Sequence, residues 1–84
     1  MMDRLVVFES VHQALFAEKL LKNAEMNFEL MPTPRGISAS CGQSIALMAV
    51  ELNRANNIFS QEKVVYKAIY AANFQQRIYE KLSE

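Results

Sequence analysis

The chain has 84 residues, 51% of them hydrophobic, and its nine basic residues balance nine acidic ones. This length predicts one small domain over residues 1–84, and the apolar content is sufficient for the chain to fold alone. The charges are balanced and interspersed, which gives no electrostatic support for binding nucleic acid or a membrane surface, so neither partner is expected.

The apolar runs and the cysteine content indicate the compartment. No apolar run approaches the ~20 residues that span a bilayer, and the first residues lack the long apolar region of a secretory signal. The only cysteine, Cys41, cannot form a disulfide within the chain. One histidine and one cysteine are too few for a tetrahedral metal site, so no metal or other cofactor is expected. We therefore expect a soluble, cytoplasmic protein.

The first part of the chain predicts a strand followed by a helix. Leu5 to Phe8 form a continuous apolar run, which is typical of a buried strand. Ser10 has the character of a helix N-cap, and Gln13 three residues later completes the pattern of a capping box. Apolar residues then recur at helical spacing as far as Ala24.

A second, short strand is predicted over "NFELMP", and an irregular loop follows it. Both prolines, both glycines and the only cysteine fall within residues 32–42, "PTPRGISASCG". Pro32 ends the strand, and Thr33 and Pro34 continue it as extended backbone because proline disfavours helix before it. Gly36 permits a turn. The clustering of prolines, glycines and the cysteine within eleven residues predicts a loop of defined conformation that presents the Cys41 thiol.

The stretch "QSIALMAVELNRANNIFSQ", residues 43–61, admits two interpretations. In the first, Ser44 to Ala49 form a third strand and a second helix runs from Glu51 to about Ser60. In the second, one helix begins at Ser40 and runs to about Asn57. Apolar spacing slightly favours the single helix, whereas Gly42 just inside its start disfavours it.

The last part of the chain predicts a strand over "KVVYKAIYAA" and a C-terminal helix over residues 73–84. Asn73 is the expected cap of this helix. Phe74, Ile78 and Leu82 form one stripe, which is expected to dock on the rest of the chain. The tyrosines of both elements are predicted to be structural: Tyr66, Tyr70 and Tyr79.

The first strand and helix, together with the loop, resemble the selenium/sulfur carrier-like family. The resemblance covers about residues 4–70. Ala68 stands where that family commonly has glycine, and the predicted helix after Asn73 extends beyond it. The residues that carry the resemblance are Phe8, Ser10, Ala14, Glu18, Leu21 and Lys22 in the first part, and Pro32, Thr33, Pro34, Arg35, Ile37, Ser38, Cys41 and Gly42 in the loop.

This resemblance implies an α+β fold, a ferredoxin-like split β-α-β-β-α-β sandwich, here with an extra C-terminal helix. It therefore favours the strand within residues 44–50. It also implies that Cys41 holds sulfur or selenium as a persulfide or selenide and relays it between proteins. The implied donor is a cysteine desulfurase-like or selenium-handling partner, and the chain would be a carrier rather than a freestanding enzyme.

The residues around Cys41 independently favour thiol chemistry. The thiolate is the nucleophile, so a carrier cysteine needs surroundings that lower its pKa. Arg35 is a fixed positive charge in the same loop, and Gly42 leaves room for a partner beside the thiol. Ser38 and Ser40 are expected to brace the turn.

The implied topology adds neighbours to this loop. In a split sandwich the first two strands point toward one edge, so the loop should lie near the start of the first helix. That start carries Ser10 and His12, and its free N–H groups favour an anion. We therefore predict that the helix amides, His12 and Arg35 together stabilise the Cys41 thiolate.

Each of these features also has a purely structural interpretation. A lone cysteine is usually a small buried hydrophobe, His12 is commonly a surface residue, and Arg35 can bond the carbonyls of its own loop. Under this interpretation the chain is a non-catalytic protein-interaction module with a structural Cys41. A third hypothesis is regulation through oxidation of Cys41 to an intermolecular disulfide.

Overall fold

The computed structural model describes residues 1–37 and 42–83, which form an α+β fold built on one five-stranded antiparallel sheet. The strands lie in the order β2-β3-β1-β4-β5, and every neighbouring pair is antiparallel. The predicted α+β class is confirmed. The elements are β1 (Arg4–Phe8), α1 (Val11–Asn23), β2 (Phe28–Pro32), β3 (Gln43–Leu47), a 3₁₀ turn (Ala49–Glu51), α2 (Leu52–Gln61), β4 (Tyr66–Asn73) and β5 (Ile78–Ser83).

The stretch with two interpretations contains a strand and then a helix, so the single helix from Ser40 to Asn57 is wrong. β3 pairs with β1 on one side and with β2 on the other. Its residues from Ser44 to Leu47 are all buried. A strand buried on both faces shows a continuous apolar run instead of an alternating one, which is why apolar spacing favoured a helix.

The extra C-terminal helix predicted for residues 73–84 is wrong. The chain turns after β4 and returns as β5, which pairs with β4. Phe74, Ile78 and Leu82 are spaced four residues apart, and this spacing suits one side of a strand as well as one face of a helix. Pairing decides between the two, because β5 gives the backbone of β4 hydrogen-bond partners on its otherwise free edge.

The hydrophobic core lies between the helices and one face of the sheet. Val6 and Phe8 of β1 meet Leu21 of α1 and Phe59 of α2, and all four side chains are buried. The ring of Phe59 packs edge-on against that of Phe8 with the ring centres 5.8 Å apart, and it lies 6.4 Å from the ring of Tyr66. One cluster therefore joins both helices to the sheet.

The opposite face of the sheet, here called the helix-free face, is also buried along its middle. Leu5, Val7 and Ser44 point to this side and have almost no exposed surface. The alternation of side chains along a strand separates them from Val6 and Phe8, which enter the main core. Segments other than the two helices therefore cover this face.

Helix α1 begins at its predicted cap. The Ser10 hydroxyl oxygen accepts a hydrogen bond from the backbone N–H of Gln13 at 3.3 Å. The second half of the capping box does not form, because the side-chain oxygen of Gln13 accepts instead from the N–H of Val65 at 2.9 Å. Gln13 thus ties the start of α1 to the connection before β4. No helix in the described ranges is long and apolar enough to cross a membrane.

Candidate functional site

The ends of β1 and β2 lie at the same end of the sheet. Both strands pair antiparallel with β3, so they run parallel to each other. Val7 of β1 and Met31 of β2 lie opposite Ser44 from its two sides. The chain therefore enters α1 and leaves β2 at one end of the sheet, which is also where β3 begins.

Thr33 fixes the base of the loop between β2 and β3. Its backbone N–H donates to the carbonyl oxygen of Gly42 at 3.1 Å, which continues the β2–β3 pairing by one step. Its hydroxyl shares a hydrogen bond of 2.5 Å with the hydroxyl of Ser44, a fully buried residue. Thr33 therefore closes the loop and also gives Ser44 the partner that a buried hydroxyl requires.

The first part of the loop forms a turn from Pro34 to Ile37. The N–H of Ile37 donates to the carbonyl oxygen of Pro34 at 3.0 Å, and Arg35 and Gly36 are exposed in the middle of the turn. Neither Gly36 nor Gly42 has a positive φ, and a β-carbon at either position would meet nothing within 4 Å. The packing of the described residues therefore does not require glycine at either position.

The structure places only some of the predicted site residues. Ser38, Ser40 and Cys41 lie outside the described residues. Ser10 caps α1, and His12 is exposed in its first turn. Within residues 1–37 and 42–83, no hydrogen bond or ion pair joins Ser10 or His12 to the loop.

Topology brings the start of α1 and the loop to the same end of the sheet, as predicted. The grouping of Ser10, His12 and Arg35 around the thiol stays a prediction, because Cys41 is not among the described residues.

A cavity of about 880 Å³ opens beside the loop. It is lined by the segment from Met31 to Ile37 on one side and by Tyr70, Arg77 and Tyr79 on the other. The strand register places Met31 and Tyr70 on the helix-free face. The loop and the β4–β5 hairpin thus meet over the sheet surface that neither helix covers.

Three residues of this cavity are not predicted from the sequence as site residues: Tyr70, Arg77 and Tyr79. The tyrosines are predicted there only as structural residues, and Arg77 is placed within a helix. The signal that identifies them is the run "NFQQR", polar except for Phe74, which lies between two apolar segments and has the length of a hairpin loop. In the structure Asn73 orders this loop by accepting a hydrogen bond from the N–H of Gln76 at 3.0 Å.

The described residues that line the cavity include two arginines and none with a carboxylate. Arg35 and Arg77 are both exposed and form no ion pair with another described residue. Among the described residues, the lining therefore concentrates positive charge without an acidic partner, in a chain whose net charge is zero. Over the same part of the chain, no group of three or more histidine, cysteine, aspartate or glutamate residues could hold a metal ion.

Fold and site together define a small α+β protein with a cysteine-containing loop at one end of an antiparallel sheet. The family described as "Putative Se/S carrier protein-like" matches residues 3–71, so the chain belongs to this family. The matched range runs from the start of β1 into β4 and includes the whole loop, whereas β5 lies beyond it. No curated protein and no solved structure matches the chain.

Proposed function

We propose that this chain carries sulfur or selenium as a persulfide or selenide on Cys41 and relays it between partner proteins. The observation that carries the proposal is membership of the family, over a range that includes the whole loop. Cys41 is the only cysteine of the chain, so covalent carriage on a thiol uses this residue. The chain then acts as a carrier rather than as a freestanding enzyme.

The proposed transfer needs no outside oxidant. The Cys41 thiolate attacks the terminal sulfur of a persulfide on the donor, a sulfur–sulfur bond forms, and the donor leaves as a thiolate. An acceptor nucleophile then takes the terminal sulfur and releases the Cys41 thiolate. The same exchange at a terminal selenium atom moves selenium. We propose a donor of the cysteine desulfurase-like or selenium-handling class.

The described residues at the two ends of the loop support the proposal that the thiol is accessible and that the loop carrying it is anchored to the sheet. Thr33 holds the base through its bonds to Gly42 and Ser44, while the turn at Arg35 is exposed to solvent. A guanidinium in the same loop favours the charged form of a cysteine. We propose Arg35 as the main stabilising charge. Ser10 and His12, at the start of α1, are proposed to contribute to stabilising the thiolate. Ser38 and Ser40 are proposed to brace the loop.

The strand order supports a finer proposal about the fold. The order β2-β3-β1-β4, with a helix after β1 and another after β3, is that of a ferredoxin-like split sandwich. Under this proposal β5 is an addition to the sheet. We also propose that residues 1–84 act as one domain in the cytoplasm, where a lone thiol stays reduced.

Incubation of the reduced protein with a persulfide donor tests the carrier function. We expect the intact mass to rise by one sulfur atom and to return to its original value after treatment with a thiol reductant. Cys41→Ser should show no gain, because the chain has no other cysteine. Absence of an adduct, together with slow alkylation of Cys41 in the folded protein, would rule out the carrier.

A second candidate function is a non-catalytic protein-interaction module. It is favoured by three large apolar side chains on α1, Val11, Leu15 and Phe16, which are each at least 40% exposed. Exposed apolar groups of this kind can mark contacts with another protein. If the chain acts only in this way, Cys41→Ser leaves partner binding unchanged and no sulfur is gained at Cys41.

A further inference from the structure

We propose that the cavity between the loop and the β4–β5 hairpin is an oxyanion-binding site. Its ligand is the phosphate, sulfate or carboxylate group of a small molecule, held by Arg35 and Arg77. This proposal goes beyond the carrier function and does not depend on the reactivity of Cys41. It shares Arg35 with the carrier function and assigns a role to Arg77 and to the cavity, which the carrier function leaves unused.

Charge is the first argument for an anion. Two arginines line one concave surface, none of the other described lining residues carries a carboxylate, and neither arginine has an ion-pair partner among the described residues. Like charges brought together disfavour each other unless an opposite charge is shared between them. Arginine also offers a planar fork of N–H donors that matches the two oxygens of a carboxylate or phosphate.

The walls of the cavity are the second argument. Tyr70 and Tyr79 are half-buried, and the hydroxyl of neither tyrosine makes a hydrogen bond to another described residue. Pro32, Pro34 and Ile37 supply apolar surface. A volume of about 880 Å³ lies within the ~300–1,000 Å³ typical of small-molecule pockets. The cavity therefore combines apolar walls with a few polar groups, which suits an anion attached to a small organic body.

The backbone conformation of Arg77 allows its side chain to be removed without disturbing the turn. Arg77 has a φ of 58°, in the left-handed region that glycine adopts most readily. Arg77→Gly therefore removes the guanidinium while the turn keeps its conformation. Lys63 has a φ of 60° and does not line the cavity. Lys63→Gly makes the same change of charge and backbone type elsewhere, so it is the matched control.

The experiment is an NMR titration of the ¹⁵N-labelled full chain at low ionic strength. The probes are inorganic phosphate and phenyl phosphate, which separate a free anion from an anion on an organic body. We expect saturable shifts of the backbone amides of residues 35–37, 70 and 77–79. Arg77→Gly and Arg35→Ala should each weaken binding by about tenfold or more. Lys63→Gly should bind like the unmodified chain, and Cys41→Ser should not weaken binding.

Tighter binding of phenyl phosphate would support an anion on an organic body. Equal binding of both probes would overturn that part of the proposal and would identify a free oxyanion. The proposal is overturned if neither probe gives saturable shifts. It is also overturned if Lys63→Gly weakens binding as much as Arg77→Gly does, because the effect would then reflect overall charge. The spectra show whether each variant is folded, and Cys41→Ser keeps this result separate from the outcome of the carrier test.

Discussion

Thr33 is the residue on which the placement of the loop depends most directly. It bonds Gly42 through its backbone and Ser44 through its side chain, so one residue holds both strands at the point where the loop begins. Ser44 belongs to a central strand and is fully buried, where a hydroxyl without a partner is costly. The pair therefore links the stability of the sheet to the position of the loop.

Substitutions at this pair should have unequal effects on stability. Thr33→Val removes the partner that the described residues give to the buried Ser44 hydroxyl and should lower the free energy of unfolding by about 1–3 kcal/mol. Ser44→Ala leaves only the half-buried Thr33 hydroxyl, which water can reach, and should lower it by about 0.5–1.5 kcal/mol. Urea unfolding with an unchanged slope measures both effects.

The double substitution provides the control for this pair. Thr33→Val with Ser44→Ala removes both hydroxyls, so the double variant should be more stable than Thr33→Val alone. Strictly additive losses would show that the two hydroxyls do not interact, and the assigned role of Thr33 at the base of the loop would then be wrong.

At the scale of the elements, the start of α1 allows two roles of Ser10 to be separated. The Ser10 hydroxyl accepts from the N–H of Gln13, which identifies it as a helix cap. The carrier proposal also gives Ser10 a role beside the thiolate. The two roles differ in what glycine can replace, because glycine is a tolerable N-cap but has no hydroxyl.

Ser10→Ala should lower the free energy of unfolding by about 1 kcal/mol, and Ser10→Gly by only a few tenths. If Ser10 acts only as a cap, both variants should be alkylated at Cys41 as fast as the unmodified chain. Rates are compared at several pH values, because the rate follows the thiolate fraction. Slower alkylation of Ser10→Gly at neutral pH would show instead that the hydroxyl acts on the thiol.

The β4–β5 hairpin is the element for which local sequence and final structure disagree. Phe74, Ile78 and Leu82 predict a helix through their spacing, and the same spacing fits a strand. The edge of β4 needs a partner, and a return strand supplies it. The hairpin also brings Arg77 and Tyr79 to the cavity, so the element that was wrongly predicted provides one wall of the proposed anion site.

At the scale of the whole molecule, stability depends on one core shared by both helices and the sheet. Phe59 lies at its centre, edge-on to Phe8 and close to Tyr66. Phe59→Ala should lower the free energy of unfolding by about 3–5 kcal/mol through lost burial and a cavity. That is a large part of the ~5–15 kcal/mol typical of a small domain.

Thermal and urea unfolding, followed by near- and far-ultraviolet circular dichroism, measure this loss. The unmodified chain should unfold in one transition with both probes, because the core joins all the layers. Phe16→Ala is the matched control: Phe16 is 40% exposed on α1, and its loss should be near 1 kcal/mol or less. Equal losses at the two positions would contradict the assigned core.

The parts of the fold that were predictable are those decided by neighbours in the chain. The run from Leu5 to Phe8, the cap at Ser10 and the stop at Pro32 are local signals, and the structure has each element where they predict it. The strand after Gly42 was ambiguous, because a central strand buried on both faces lacks an alternating pattern. The family resemblance favoured the strand there, whereas apolar spacing alone did not.

The sequence by itself determined the α+β class, the family and the loop that contains Cys41. These depend on composition, on the positions of prolines and glycines, and on a motif within eleven residues. Only the tertiary structure decided that the chain ends in a strand and that Arg77 and Tyr79 face the loop across the sheet. Both outcomes depend on which strand pairs with the free edge of β4. Pairing between strands satisfies backbone groups whatever the side chains are, so spacing along the chain does not reveal it.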